Sequence, residues 1–257
     1  MLTKIKNLVE QLHLYGMGSH IENVLAEAQV KGTSAAEVVF SLLTIEYDDT
    51  QTRLLANRIK HAKAPWPWTL DSFPFAQQLA INKMQIMGIA QLEFIKRAEN
   101  IIFIGEPGTG KSGLAMGILH RALINGYRGR FYMADELLNE LYASLADRTS
   151  PHLLKRLANY DILVIDELGY MTLNEEKINM FFKLIDLRYR KKPTIITTNL
   201  PYSEWYTVFK NKSLVDAMLD RFKHYCTTIQ TGKDSLRDNE IEGDKAKQKK
   251  STKRQVA

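Results

Sequence analysis

The segment Gly105-Glu-Pro-Gly-Thr-Gly-Lys111-Ser112 narrows the fold more than any other stretch of the chain. It fits G-x-x-x-x-G-K-[ST], which works only where a buried strand runs into a helix through a glycine-rich turn. Here it follows the apolar run 101–104 and opens a segment of helical pattern over 111–125. With glycine at about 7% of residues, chance yields the pattern in about one chain in a hundred of this length. The strand-then-helix setting argues further against a plain glycine-rich turn. Gly108 and Gly110 let backbone N–H groups turn inward around phosphates. The amino end of the following helix adds partial positive charge. Lys111 is expected to reach the β- and γ-phosphates of ATP, and the Ser112 hydroxyl to ligate Mg2+. Gly105, Glu106, Pro107, Thr109 and Gly113 complete the expected nucleotide-binding set.

A second segment, Ile162-Leu-Val-Ile165-Asp166-Glu167, ends an apolar run in two acids. An acid at the carboxyl end of a buried strand beside a phosphate loop suits Mg2+ held through its water shell. Asp166 is read as that group, and Glu167 as the base that orients and activates the attacking water. Hydrolysis is therefore expected, and not binding alone. Asn199 ends the next apolar run, where its amide would sit beside the γ-phosphate; serving a turn before Pro201 is the other role open to it. Arg221 lies near the end of a helical segment. It either projects onto a neighbouring subunit to stabilise phosphoryl charge or forms an ion pair within its own chain.

Around these motifs the pattern alternates. Apolar runs at 101–104, 131–133, 162–165 and 194–197, with a weaker one at 225–229, read as strands; helical patterns fill 111–125, 175–190 and 213–222. Such alternation implies α/β architecture, a parallel five-stranded sheet with helices on both faces. Residues 1–64 read instead as a small all-helical domain. Ile5, Leu8, Val9 and Leu12 fall at helical spacing, as do Ile21, Val24, Leu25 and Ala28. Ser34 and Glu37 make a capping-box pattern ahead of a third helix carrying Val38, Leu42 and Leu43. Pro65-Trp66-Pro67-Trp68 marks a linker, and 79–96 reads as one helix leading into the first strand, so that 65–98 joins the two domains. The ATPase domain is placed at 99–238, and the polar stretch 239–257 reads as a disordered basic tail.

The formal charge of +6 is unevenly spread: 239–257 hold six Lys/Arg against three acids, which leaves +3 for everything before them. A nucleic-acid site on the folded part must therefore be a local patch. No run reaches the roughly 20 apolar residues of a membrane span, and the start lacks the apolar core of a signal peptide. The single cysteine, Cys226, excludes an internal disulfide. A cytoplasmic protein with no membrane contact is the expectation.

The motifs together resemble the AAA+ ATPases, in which an asparagine sensor follows the acid-pair strand and an arginine finger acts in trans. Longer strings are similar to the IstB-type helper ATPases of bacterial insertion sequences: Glu99-Asn-Ile-Ile-Phe-Ile-Gly-Glu-Pro-Gly-Thr-Gly-Lys111, Asp166-Glu-Leu-Gly-Tyr170 and Thr197-Thr-Asn-Leu-Pro-Tyr-Ser-Glu-Trp205. Leu219-Asp-Arg-Phe222 and Gly232-Lys-Asp-Ser-Leu-Arg237 fall where that family has its finger and a terminal Ser-x-Arg element, which implies Arg237 as a further nucleotide-binding residue. The likeness covers about residues 1–238. Helicase loaders of the DnaC type share the branch. The resemblance implies a homo-oligomer with ATP at subunit interfaces, assembled on double-stranded DNA, that helps a partner transposase use its target; hydrolysis would reset the assembly. After Arg237 only about twenty polar residues remain, too few for a C-terminal helical lid.

In the initiator branch the segment corresponding to 135–158 faces DNA. Arg128, Arg130, Arg148, Lys155 and Arg156 are accordingly the candidate phosphate contacts, with a solvated charged face as the alternative. The cluster Arg188, Arg190, Lys191 and Lys192 also fits a helix carboxyl end. Trp66, Trp68 and Phe73 suit either stacking on adenine or pinning the linker, and packing is preferred for both tryptophans. Two rival functions use the same phosphate loop. A helicase loader would grip a helicase through the amino-terminal helices, whereas a small-molecule kinase would need an acceptor site and would leave Asp166, Glu167 and Asn199 less well explained.

Overall fold

The computed structural model describes residues 1–65, 68–169, 173–209 and 212–236, apart from the side chain of Lys223. The chain divides into two compact units, Met1–Lys60 and His61–Ala257.

The first unit is helical. It holds α1 (Leu2–Gln11), α2 (Tyr15–Lys31) and most of α3 (Ala35–Ala62). Gly32, left-handed at φ 66°, ends α2. The capping box then forms in both directions: Ser34 N–H donates to Glu37 at 2.9 Å, and Glu37 N–H donates to Ser34 Oγ at 3.3 Å. Gly16 lets α2 close on α3, since a Cβ there would stand 2.7 Å from Asp49 Cβ. Of the residues whose spacing marks these helices, Val9, Ile21 and Leu42 are buried, while Leu8, Leu12 and Leu43 are exposed.

The second unit is built on the sheet. A 3-10 turn (Phe75–Gln77), α4 (Lys83–Ile89) and α5 (Glu93–Lys96) precede β1 (Asn100–Ile104). The single helix expected over 79–96 does not form, for two local reasons. Asn82 uses its side chain to cap α4, accepting from Gln85 N–H, and so starts a helix instead of continuing one. Leu92 then takes a left-handed conformation (φ 66°) that no helix interior accommodates.

From β1 onward the elements are α6 (Lys111–Ile124), β2 (Gly129–Met133), α7 (Ala134–Ala146), α8 (Ser150–Ala158), β3 (Ile162–Asp166), α9 (Glu175–Arg188), β4 (Thr194–Thr198), α10 (Trp205–Phe209), α11 (Lys212–His224) and β5 (Cys226–Gln230). All five strands are parallel, in the order β2-β3-β4-β1-β5. Strands β1, β3 and β4 are buried throughout, as a sheet covered on both faces requires. One face, with Ile102, Ile104, Leu163, Ile165 and Ile196, packs into a core with α7, α8, α9, α10 and α11. The alternate residues point to the face that α6 covers. The described residues after β5, Thr231 to Leu236, contain no helical lid.

Arg188 illustrates how charge is spent on folding. Its guanidinium is 1% exposed and donates to Leu157 O, Ala158 O, Tyr160 O, Pro193 O and Thr194 Oγ1. It thereby ties the end of α8 to the entry of β4. Burial pushes its pKa down to about 9, which leaves it cationic at neutral pH. Lys192 pairs with Asp161 at 2.6 Å, and Arg190 donates to the Tyr225 hydroxyl at 2.8 Å. Three of the four cations in that basic cluster are therefore engaged within the unit.

Candidate nucleotide site

Parallel strands bring their carboxyl ends to one edge, and the loops leaving that edge form the crevice where such sheets bind ligands. Because β4 lies between β1 and β3, residues 197–199 stand between the phosphate loop after β1 and the acids after β3. A cavity of about 710 Å³ opens there. Gly108, Gly110, Lys111, Ser112, Gly113, Asp166, Glu167, Thr198 and Asn199 all line it.

Gly108 and Gly110 take φ of 83° and 90°, as the sequence requires of a loop that curls its N–H groups inward. Gly110 is the cap of α6, whose first residues, Lys111 to Gly113, lie on the cavity wall. The Lys111 ammonium rests on the loop, donating to Gly105 O at 2.8 Å and Glu106 O at 2.7 Å. Ser112 Oγ donates to Asp166 Oδ1 at 2.8 Å. Asp166 is buried at the last position of β3.

A residue that pattern reading passes over connects the two acids. Thr197 Oγ1 donates to Asp166 Oδ1 and accepts from Glu167 N–H at 3.0 Å. Glu167 itself is left-handed (φ 58°) and exposed, so its side chain leaves the strand line and reaches the cavity. Asn199 also lines the cavity, with Oδ1 buried and without a hydrogen-bond partner among the described residues. It packs on Gly169, where a Cβ would come within 3.3 Å of that oxygen.

Other lining residues were not singled out by their sequence pattern. Glu136, in the first turn of α7 just past β2, is found by the rule that strand carboxyl ends carry the site. Lys63, Pro65, Phe131, Met133 and Leu236 complete the wall together with Pro107 of the expected nucleotide-binding set. Trp68 lies on it too, against Gly113, where a Cβ would meet the indole at 3.3 Å. Its ring thus packs on α6 and faces the cavity at once. Phe73 is buried under the loop against Gly110. Trp66 and Arg237 lie outside the described residues.

Arg221 is not part of this wall. It pairs with Asp186 at 3.0 Å, donates to Ala217 O, and lies over the Phe182 ring at 4.9 Å. The DNA candidates divide. Arg128 bonds Asn159 O and pairs loosely with Asp161 at 3.7 Å; Arg130 donates to His61 O; Arg156 pairs with Glu140 at 2.6 Å. Arg128, Lys155 and Arg156 lie near the amino ends of β2 and β3, the edge opposite the phosphate loop. Arg148 stands before the other end of α8, about 13 Å away along a nine-residue helix.

Residues 7–243 match the family described as IstB-like ATP binding protein. The chain belongs to this family. Its relatives include the insertion sequence IS5376 putative ATP-binding protein of Geobacillus stearothermophilus, 32% identical over 97% of this chain and 99% of that one. The IS21 putative ATP-binding protein of Pseudomonas aeruginosa is 31% identical over 91% of this chain and 88% of its own length. Among solved structures, that of the DnaC helicase loader superposes with a TM-score of 0.56 at 25% identity, covering 66% of this chain and 99% of the loader. AMPPCP-bound DnaA from Aquifex aeolicus has the same TM-score at 19% identity, covering 66% of this chain and 51% of DnaA, a likeness of fold alone. An IstB-like chain with an AAA+ core, binding ATP, accounts for the phosphate loop and for the order of the strands. Among the described residues no helix is long and apolar enough to cross a membrane.

Proposed function

We propose that this chain is an ATP-hydrolysing helper of transposition: it assembles on duplex DNA with ATP bound between subunits, engages a partner transposase, and resets by hydrolysis. What carries the reading is that its likeness to insertion-sequence ATP-binding proteins runs through both units, to 97% of the chain. The likeness to the DnaC loader covers 66% and supports a helicase-loading role as the second reading.

The chemistry follows from the cavity. Lys111 and the N–H groups of 108–113 would hold the phosphates. Glu167, exposed at the mouth, would accept a proton from the attacking water, and the Asn199 amide would orient that water. Ser112 and Asp166 present hard oxygen donors in mutual contact, which fits Mg2+. Such an ion would supply charge neutralisation for the phosphoryl group. Arg221, which does not line its own cavity, would serve a neighbour's once the Asp186 pair opens; Arg237 is proposed as a further contact to the nucleotide. Arg148, Lys155 and the remaining basic candidates would give DNA affinity through phosphates, without reading sequence. The cytoplasm is the proposed compartment.

Sedimentation velocity with labelled DNA tests this. ATP, and not ADP, should drive a large complex on duplex DNA, and Glu167→Gln should hold that complex together. A small species on duplex with preference for single strands would transfer the assignment to a helicase loader. Fast release by the Gln variant would remove hydrolysis from the reset step.

A further inference from the structure

A phosphate nest needs its N–H groups turned inward, so the carbonyls of the same peptides must face outward and find donors of their own. In a trans peptide the C=O of one residue and the N–H of the next point in opposite directions. Fixing a loop carbonyl therefore aims the following N–H.

The loop carbonyls here are held individually. Gly105 O and Glu106 O accept from Lys111, and Glu106 O also accepts from Thr109 Oγ1 at 2.9 Å. Gly108 O accepts from Leu236 N–H at 2.9 Å. Thr109 O accepts from the Gln78 amide at 3.3 Å, and the same nitrogen donates to Asp234 O at 2.8 Å. Gln78 is fully buried, and its two carbonyl partners fix which way the amide faces. Turned over, its oxygen would meet both carbonyls.

Segment 231–236 is thus fastened to the loop along its length. Thr231 Oγ1 lies 2.7 Å from Thr109 Oγ1, and Gly232 O accepts from Glu106 N–H at 3.3 Å. Gln78 is the side chain that locks this segment and the loop together from a third part of the chain.

We infer that Gln78 is a positioning residue for nucleotide binding: by holding Thr109 O it aims the Gly110 N–H into the cavity, and by holding Asp234 O it keeps segment 231–236 seated behind the loop. The inference rests on the ATP reading above. It assigns a phosphate-site function to a residue outside the phosphate-loop motif.

The test compares the Kd of a fluorescent, non-hydrolysed ATP analogue and the KM and kcat for ATP among wild type, Gln78→Leu, Gln78→Met, Gln78→Glu and Lys111→Ala. Leu and Met remove both donors; Met keeps the length and serves if the Leu variant does not fold. Both should raise Kd and KM about tenfold, equivalent to about 1.4 kcal/mol, while kcat falls less than about threefold. That split marks lost binding common to ground and transition states. A general loosening of the unit would instead lower kcat through the active fraction.

Gln78→Glu supplies a second readout. Burial against two carbonyls raises its pKa, and only the protonated form donates. Its single O–H can serve only one of the two carbonyls, so its Kd should move toward that of wild type without reaching it as the pH falls from 8 to 6, while the Leu variant's ratio to wild type stays constant. Kd within twofold of wild type for Leu and Met, or a Glu variant whose ratio ignores pH, overturns the inference. If Lys111→Ala also binds like wild type, the nucleotide reading itself has failed; if only that variant loses binding, the fault lies with Gln78 alone.

Discussion

Thr197→Val makes the sharpest test of how the acids are held. Valine has nearly the shape of threonine, so the fully buried site keeps its packing while the hydroxyl disappears. Two bonds go with it: the donation to Asp166 Oδ1 and the acceptance from Glu167 N–H at 3.0 Å. A bond to a charged group contributes about 1.5–3 kcal/mol and a neutral one about 0.5–1.5 kcal/mol. Asp166 keeps Ser112 as a donor, so its carboxylate is weakened and not stranded. Glu167 fares worse, because its left-handed backbone loses the tie that holds it. If about 2 kcal/mol of this loss falls on the transition state, the rate drops about 30-fold. Steady-state hydrolysis with Mg2+ should accordingly show kcat reduced about 10- to 100-fold, an estimate bounded by the two bonds. Affinity for a non-hydrolysed analogue should change less than about threefold, because the phosphate loop is untouched. Thr197→Ser, which keeps the hydroxyl, should retain most activity. A folded Val variant with kcat within twofold of wild type would refute the reasoning.

Mixing Arg221→Ala with Lys111→Ala protein, each inactive alone, should partly restore hydrolysis if Arg221 acts on a neighbour's nucleotide; no recovery at any mixing ratio would confine Arg221 to its Asp186 pair. Arg188→Met leaves five oxygens without their cationic donor and should destabilise the second unit by about 3–5 kcal/mol, read as a lower urea midpoint. A midpoint shift equivalent to less than about 1 kcal/mol would contradict the bridging role given to Arg188. Burial pushes the Cys226 thiol up to about 11, above its ordinary value of 9.0. The unfolded chain ionises first, so this group's contribution to stability is present below pH 9 and lost between 9 and 11. Alkylation of the native protein should correspondingly stay slow at pH 8; rapid labelling there would count against a raised thiol pKa at this half-buried position.

The strands were legible because four are apolar runs, three of them buried along their whole length, a pattern that needs no knowledge of neighbours. The phosphate loop and Asp166 were legible for a similar reason: each depends on what immediately precedes it in the chain. Positions decided by distant partners were not. Gln78 has no local signature, and its importance comes from carbonyls at 109 and 234. Thr197 reads as one more β-branched strand residue until β3 is placed beside β4. Arg188 belongs, by sequence, to a surface-like basic run, and only the end of α8 explains its burial. The break at Leu92 was hidden because leucine carries strong helical preference, which tertiary packing of this buried residue overrides.

The place of β5 bears on how the protein is made. β1, which carries the phosphate loop, pairs with β4 on one side and with β5 on the other. Synthesis runs from the amino end, so β1 emerges long before residues 226–236 that flank it and back its loop. Until they arrive, a nascent chain exposes a bare strand edge that invites wrong pairing, and the loop lacks the bonds from Leu236 N–H to Gly108 O and from Glu106 N–H to Gly232 O. Competence to bind ATP is therefore conferred late in translation, once residues 226–236 have docked beside β1.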